Sequence, residues 1–220
     1  MIKLTEVDKY IESKYQRVFI LKGINLEINE GKFVSIMGPS GSGKSTLLNI
    51  IGMLDKPSQG AYYFLDQPVH TFRERQTAKM HKEQIGFIFQ AYHLIDELNV
   101  YENIETPLIY RGIKRKERQS MVAEMLDRFN MVAKRDLFPE QLSGGQQQLV
   151  GIARAIVGKP NLLLADEPTG NLHSSQGEEV MELLRELNKE GMTVVQVTHN
   201  EKFAEYGSRI VQLDDGAIRQ

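Results

Sequence analysis

Residues 32–52 read KFVSIMGPSGSGKSTLLNIIG, an apolar run, a glycine-rich turn and a second apolar run at helical spacing. From Gly38 to Ser45 the turn fits G-x-x-x-x-G-K-[ST], and it lies between an expected strand and an expected helix, the context this phosphate-binding pattern needs. Gly38, Gly41 and Gly43 let the backbone curl tightly, so that several N–H groups point at one anion. The helix that follows adds the positive end of its dipole. Lys44 would reach the outer phosphates and Ser45 would offer its hydroxyl to Mg²⁺. The whole loop, with Ser40, Ser42 and Thr46 included, is therefore expected at the phosphates. A glycine-rich turn without a ligand is the competing reading. At average composition the pattern arises by chance at about one position in ten thousand or fewer, which favours a nucleoside triphosphate site.

Outward from this loop, short apolar runs alternate with longer helical patterns, as in a sheet covered by helices. IKLTEV, RVFILKGINLEI and KFVSIM make the first forty residues β-rich; AYYFL (61–65) and IGFIF (85–89) read as further strands around a charged helical piece. From about 91 to 158 the texture is helical, with Met121, Val122, Met125, Leu126 and Phe129 on one face of the piece 114–131. The basic run RGIKRKER (111–118) is expected to be a solvated helix start, with anionic-lipid contact as the sharper alternative. NLLLAD (161–166) and TVVQVT (193–198) restore strand texture around the stripe Val180, Leu183, Leu184, Leu187, which makes a parallel crossover unit. The expected fold is α/β, a nucleotide-binding core (1–90 and 159–220) interrupted by an α-helical insertion (about 91–158) within one domain.

The 220 residues suffice for a sizeable core, and 41% hydrophobic with 25% charged residues is ordinary globular usage. A net charge of −2 removes the whole-domain basic footprint of a nucleic-acid binder, so no nucleic-acid partner is expected. Without cysteine, disulfides, thiolate metal sites and Cys nucleophiles are excluded. The longest nearly apolar run, 47–54, is broken by Asn49 and Gly52 and is too short for a bilayer. Acids arrive too early in MIKLTEVDKYIE for a signal peptide, so work at a membrane would need another anchor.

Two further motifs bear on the phosphates. LLLADE (162–167) is an apolar run ending in two acids: Asp166 is placed to hold Mg²⁺ through water and Glu167 to polarise an attacking water. Standing alone, these acids would be read as a strand end. LSGGQ (142–146) opens another helical pattern, with Ser143 as N-cap and Gly144 and Gly145 at the helix mouth, where a side chain would obstruct a ligand. It is a second anion-binding helix start in a small chain, which a single triphosphate does not require.

LSGGQ resembles the signature sequence of ATP-binding cassette (ABC) ATPases. The other elements of that family stand in order along the whole chain: GPSGSGKST, Gln90 of IFQ, LSGGQ, LLLADEP, NLHS and His199 of VTHN. The resemblance implies a P-loop NTPase core with an N-terminal β-rich subdomain and a helical insertion. It also implies a head-to-tail homodimer with two ATP and Mg²⁺ at the interface, each ATP touching 38–46 of one subunit and Ser143, Gly144, Gly145 and Gln146 of the other. Gln90 would then sense Mg²⁺ and the attacking water, and His199 would contact the γ-phosphate. An aromatic near the N-terminus would stack on adenine, with Tyr10 the first candidate and Tyr15 the second. The stretches LKGINLEINEGKFVSIMGPSGSGKSTLLNIIG and DEPTGNL are similar to ATPase subunits of lipoprotein-release, macrolide-export and cell-division exporters.

The function implied is ATP hydrolysis driving a separate integral-membrane permease of the export or force-transmission type. The chain would be cytoplasmic and peripheral on the inner face of the membrane. Residues 91–108 are the expected docking region, with Tyr92, Leu94, Ile95, Leu98 and Tyr101, which would serve equally well as core of the insertion. A soluble ABC ATPase acting on ribosomes or DNA is the alternative; such proteins usually carry tandem cassettes or a long coiled-coil insertion, and this chain shows neither. A GTPase is disfavoured because Asn188-Lys189-Glu190-Gly191 lacks the aspartate of the guanine-reading motif.

This chain departs from the family in several places. Leu149, Val150 and Gly151 replace the usual residues after the signature glutamines, and Asn200 stands where aspartate often follows the histidine. In the turn after DEPTGN, His173 replaces the aspartate that helps join the halves of the dimer. An imidazole gives no fixed negative charge and becomes cationic below about pH 6.5. Slower or pH-sensitive turnover with intact ATP binding is expected. The pH–rate profile of His173→Asp should therefore differ from that of the parent; superimposable profiles would refute the idea.

Overall fold

The computed structural model describes residues 1–13 and 16–219, so Tyr15 lies outside the described residues. An antiparallel sheet in the order β2-β1-β4-β5 is built from β1 (Ile2–Glu12), β2 (Arg17–Ile28), β4 (Gln59–Phe64) and the two-residue β5 (Gln67–Pro68). The second sheet has the order β10-β9-β3-β8-β7-β6. Its strands β3 (Phe33–Met37), β6 (Ile85–Ile88), β7 (Leu162–Asp166), β8 (Thr193–Val197) and β9 (Arg209–Asp214) run parallel, and β10 (Ala217–Ile218) closes one edge antiparallel.

Burial on both faces explains why the central strands read as unbroken apolar runs. Side chains alternate across β7: Leu162 and Leu164 join the core shared with the antiparallel sheet and α1 (Lys44–Ile51), while Leu163 and Ala165 join the core on the opposite face. That opposite core is covered by α3 (Val100–Tyr110), α4 (Arg115–Arg128), α5 (Gly144–Ile156) and α6 (Ser174–Lys189). On α4, Val122, Met125, Leu126 and then Phe129 are buried and Met121 packs against them. On α6, Val180, Leu184 and Leu187 are buried, and Leu183 packs at the margin. α2 (Glu74–Gln84) has no fully buried residue, and the short α7 (Glu201–Ala204) follows β8.

Buried polar groups order the helical part and its approach to the sheet. Asn103, wholly buried on α3, donates Nδ2 to the carbonyls of Ile95 (3.0 Å) and Leu98 (2.8 Å) and accepts the N–H of Ile95 at 2.9 Å. It thereby fixes the segment leading into α3, which a capping box of Asn99 and Glu102 begins. Gly86 admits the backbone of α5, since a Cβ there would meet the carbonyl of Ala155.

The basic run 111–118 is only partly solvated, which corrects the expectation for it. Arg111 follows α3 and spends its guanidinium on the carbonyls of Lys82 (2.7 Å) and Gly158, while Arg118 bonds Glu105 at 2.8 Å and the carbonyl of Ile113 at 2.8 Å. Lys114, Arg115, Lys116 and Glu117 do face solvent. Carbonyls left over at helix ends need donors, and these two long side chains reach them.

Replacing Asn103 with alanine would strand the N–H and carbonyl of Ile95. The expected loss is about 1–3 kcal/mol, read as a lower urea midpoint at unchanged m-value. An unchanged midpoint would show that the segment 95–99 is held by something else.

Candidate nucleotide site

The parallel strands deliver their chemistry to one edge. Gly38 follows β3, Gln90 follows β6 after one residue, Asp166 ends β7, Glu167 comes next, and His199 lies two residues beyond β8. Asp166 is in register with Val197, so the two acids and the histidine turn leave the sheet side by side. Ligands of open α/β sheets bind outside the carboxyl ends of the strands, and this edge has that position.

The phosphate loop has the conformation its glycines were expected to permit. Gly41 (φ 80°) and Gly43 (φ 100°) are left-handed, and a Cβ on Gly43 would strike the carbonyl of Ile20 at 2.9 Å. Among the described residues, no backbone acceptor faces the N–H groups of Gly43, Lys44, Ser45 or Thr46. The Ser42 hydroxyl is buried without a partner. Lys44 spans the loop, donating Nζ to the carbonyls of Gly38 and Pro39 at 2.9 Å each, which uses two of its three protons. Unpaired donors at the mouth of α1 with one ammonium among them form a site built for a polyanion.

Facing the loop across a cleft of about 320 Å³ are Asp166 and Glu167. Ser45 donates its hydroxyl to Asp166 Oδ1 at 3.3 Å. Burial pushes the Asp166 carboxyl above its ordinary range and the Glu167 carboxylate adds to this, while the Ser45 hydroxyl and the Lys44 ammonium oppose it. Two acids in a partly dry cleft favour a cation. Among the described residues no three acids or histidines converge to cage one. Ser45 and Asp166 fit Mg²⁺ in its usual mode, one or two protein oxygens with substrate phosphates completing the shell.

Glu167 adopts φ 48°, uncommon for a residue with a side chain, and its N–H bonds the carbonyl of Val197 at 3.0 Å. Its Oε1 lies 2.8 Å from Nδ1 of His199. A carboxylate only accepts, so this contact puts the imidazole proton on Nδ1. Glu167 is 15% exposed and His199 72%, so the histidine covers the acid from the solvent side. Gln90 is exposed and lies on Gly170, where a Cβ would meet its Nε2 at 2.7 Å; its carbonyl accepts Nδ2 of Asn171 at 2.9 Å.

The second glycine-rich motif stands apart. Ser143 caps α5 in a reciprocal pair with Gln146, but none of residues 143–146 lines the cleft of Lys44. A Cβ on Gly144 would meet the Tyr92 hydroxyl at 2.7 Å, and one on Gly145 would meet Gln176 Nε2 at 2.8 Å. Of the divergent positions, His173 occupies the N-cap of α6 without a side-chain cap, and Asn200 caps α7 by accepting the N–H of Phe203 at 3.3 Å.

Tyr10 also lies apart from the phosphate loop. It pairs across the sheet with Phe19, ring centroids 5.3 Å apart, under the guanidinium of Arg17. The loop is met by the other face: Lys9 pairs with Leu21, whose methyl abuts Gly43, and Ile11 pairs with Val18 two residues further along β1. Period-2 alternation therefore leaves Tyr10 on the outer face and Ile11 and Val18, 60% and 51% exposed, on the inner one. Ile20, which lines the cleft, carries no local motif that could have marked it.

A second cleft, of about 560 Å³, runs between α2, β6 and α3. Phe87, Phe89, Ile95, Pro107 and Tyr110 line it, with Tyr110 72% exposed. Of the 91–108 residues, Ile95 opens into this groove, whereas Leu94 and Tyr101 pack on the helical core. No helix among the described residues is long and apolar enough to cross a membrane.

The ABC transporter family profile matches residues 21–170. The macrolide export ATP-binding/permease protein MacB of Shewanella oneidensis is 44% identical over 99% of this chain, and that of Wolinella succinogenes 46% identical over the same share. The chain spans about a third of the length of these relatives (33% and 34%). Among solved structures, the dimeric post-hydrolysis ATP-binding cassette MJ0796 bound to ADP and Pi superposes with a TM-score of 0.92 at 44% identity, over 100% of this chain and 97% of that one. CbiO1 of Clostridium perfringens, part of the cbiONQ transporter complex, gives 0.88 at 29% identity over 100% and 86%. A profile over most of the chain and likeness across its full length agree with the site at the strand edge: the chain belongs to the ABC transporter family.

Proposed function

We infer that this chain binds and hydrolyses ATP as one half of a head-to-tail homodimer and drives a membrane permease of the export or force-transmission type. The observation that carries this reading is the separation of the two glycine-rich helix starts. Residues 143–146 do not line their own chain's phosphate cleft, so a second copy gives that anion site a use. The dimeric MJ0796 cassette with ADP and Pi supports the same arrangement.

In this reading the unpaired N–H groups of 43–46, the dipole of α1 and Lys44 hold the β- and γ-phosphates. A bound Mg²⁺ supplies charge neutralisation at the phosphate oxygens; Ser45 and Asp166 would hold it, with Gln90 reporting on it. Glu167 takes a proton from the attacking water, and His199, donating through Nδ1, keeps the carboxylate in place for that step. The water oxygen bonds the γ-phosphorus as the bond to the β-phosphate oxygen breaks, so ADP is the leaving group and the inorganic phosphate formed faces the partner copy's signature residues.

For the base, the strand register favours Ile11 and Val18 over Tyr10 as the surface against which adenine lies. For the permease, the groove of Phe87, Phe89, Ile95 and Tyr110 is the docking surface, directly behind the turn that carries Gln90. A chain held there would sit at the inner face of the membrane without a span of its own. The relatives' name, which joins an ATP-binding part to a permease, supports this assignment and the export direction.

Glu167→Gln should keep ATP binding, reduce turnover by about 10²–10⁴-fold and accumulate a dimer in ATP that gel filtration resolves. Lys44→Ala should weaken ATP binding itself. Parental hydrolysis by Glu167→Gln would overturn the choice of base. Ile11→Tyr should tighten ATP binding several-fold, because stacking a base on an aromatic ring contributes about 1–3 kcal/mol, whereas Tyr10→Ala should leave it unchanged. Weaker binding by Tyr10→Ala with no gain from Ile11→Tyr would return the base to Tyr10.

A further inference from the structure

We propose that Tyr92 is a positioning residue for hydrolysis, tying the turn that carries Gln90 to the signature helix and to the turn beyond Glu167. The proposal rests on the ATPase reading above but concerns side chains that touch neither phosphate nor water.

Tyr92 (φ 59°) and His93 (φ 47°) are two successive left-handed residues with side chains. Such a pair persists only where its surroundings impose it. Arg154 imposes it from α5: Nη1 donates to the carbonyl of His93 at 2.7 Å and Nη2 to that of Tyr92 at 3.0 Å. The planar fork gives each of two adjacent carbonyls its own N–H in a fixed geometry, whereas a lysine's single ammonium is not pre-organised for the pair. Burial lowers the guanidinium's pKa from its ordinary value, so the charge is partly desolvated and depends on these two acceptors.

The Tyr92 side chain then reaches two other loops. Its hydroxyl donates to the carbonyl of Asn171 at 3.3 Å, four residues beyond Glu167. Burial raises the phenol's pKa, which keeps it a donor. Asn171 returns a bond from Nδ2 to the carbonyl of Gln90 at 2.9 Å, closing a ring of contacts. The same hydroxyl lies 2.7 Å from where a Cβ of Gly144 would be, so the phenol covers the first signature glycine. One side chain thus meets all three elements that must agree before turnover. At Gly144 the phenol hydroxyl fills the space a side chain would enter, so a larger residue there would have to displace Tyr92.

A displacement of Gln90 is therefore passed to the start of α5 through the Tyr92 hydroxyl and to its last turn through Arg154. The hydroxyl bond is long and near the surface, so it adds little to global stability. That separates a positioning role from a structural one.

The test compares the full chain with Tyr92→Phe, which keeps the ring and removes one hydroxyl. Expected are a 3–10-fold fall in kcat, a KM for ATP within two-fold of the parent, an unchanged thermal midpoint and faster amide exchange over 143–147. Arg154→Lys should act in the same direction on kcat and exchange. Equal kcat and equal exchange in parent and Tyr92→Phe would overturn the proposal, as would a matching fall in thermal midpoint that accounts for the lost rate. An inactive parent would refute the ATPase reading instead, and amide exchange over 143–147 would still decide whether the tie exists.

Discussion

Everything at the site depends on the parallel register of β3, β8, β7 and β6. Each of these strands contributes only a short apolar run, yet their aligned carboxyl ends release the phosphate loop, the two acids, the histidine and Gln90 at one edge. Backbone hydrogen bonds fix that alignment to within a residue, and a slip of one position would send Leu163 and Leu164 to each other's cores. Catalytic geometry here is inherited from hydrophobic packing: the alternation Leu162, Leu163, Leu164, Ala165 that fills two cores also fixes where Asp166 emerges.

Charge at the edge is arranged around an expected partner rather than neutralised internally. Lys44 leans on carbonyls instead of pairing with Asp166 or Glu167, and the loop amides at the mouth of α1 have no acceptor among the described residues. Among the described residues, the Asp166 carboxylate bonds only a serine hydroxyl, and that of Glu167 only an exposed imidazole. Such a set suits the triphosphate and cation proposed for it, since each group would gain a partner without breaking a strong existing pair.

The phosphate loop and the parallel crossover were legible because local pattern and tertiary role coincide there: glycine spacing and apolar runs mean the same thing in isolation and in the fold. The side of the sheet on which Tyr10 stands was not legible. An extra residue on β1 between Leu4 and Val7 decides it, moving the buried face from even to odd positions, and no run of residues announces a bulge. Arg111 and Arg118 were misread for a related reason. A basic run looks solvated until the helix ends that need donors are placed beside it. The contact that Gly144 makes in its own chain was equally hidden, since the hydroxyl that meets it comes from 52 positions earlier in the chain (144 − 92).

The helical part packs on the sheet through the apolar core, and a few polar groups add discrete bonds to it. Gln148 donates to the carbonyl of Pro168 at 2.7 Å and Arg111 to that of Lys82 at 2.7 Å, while Asn103 and Arg154 hold the segment before α3 within the helical part. Apolar surfaces slide at small cost, whereas a buried carbonyl that loses its donor is penalised at once. An insertion held by discrete bonds has a few defined seats and little between them. That is the property a lever needs if events at the phosphate edge are to be felt at the groove of Phe87 and Tyr110.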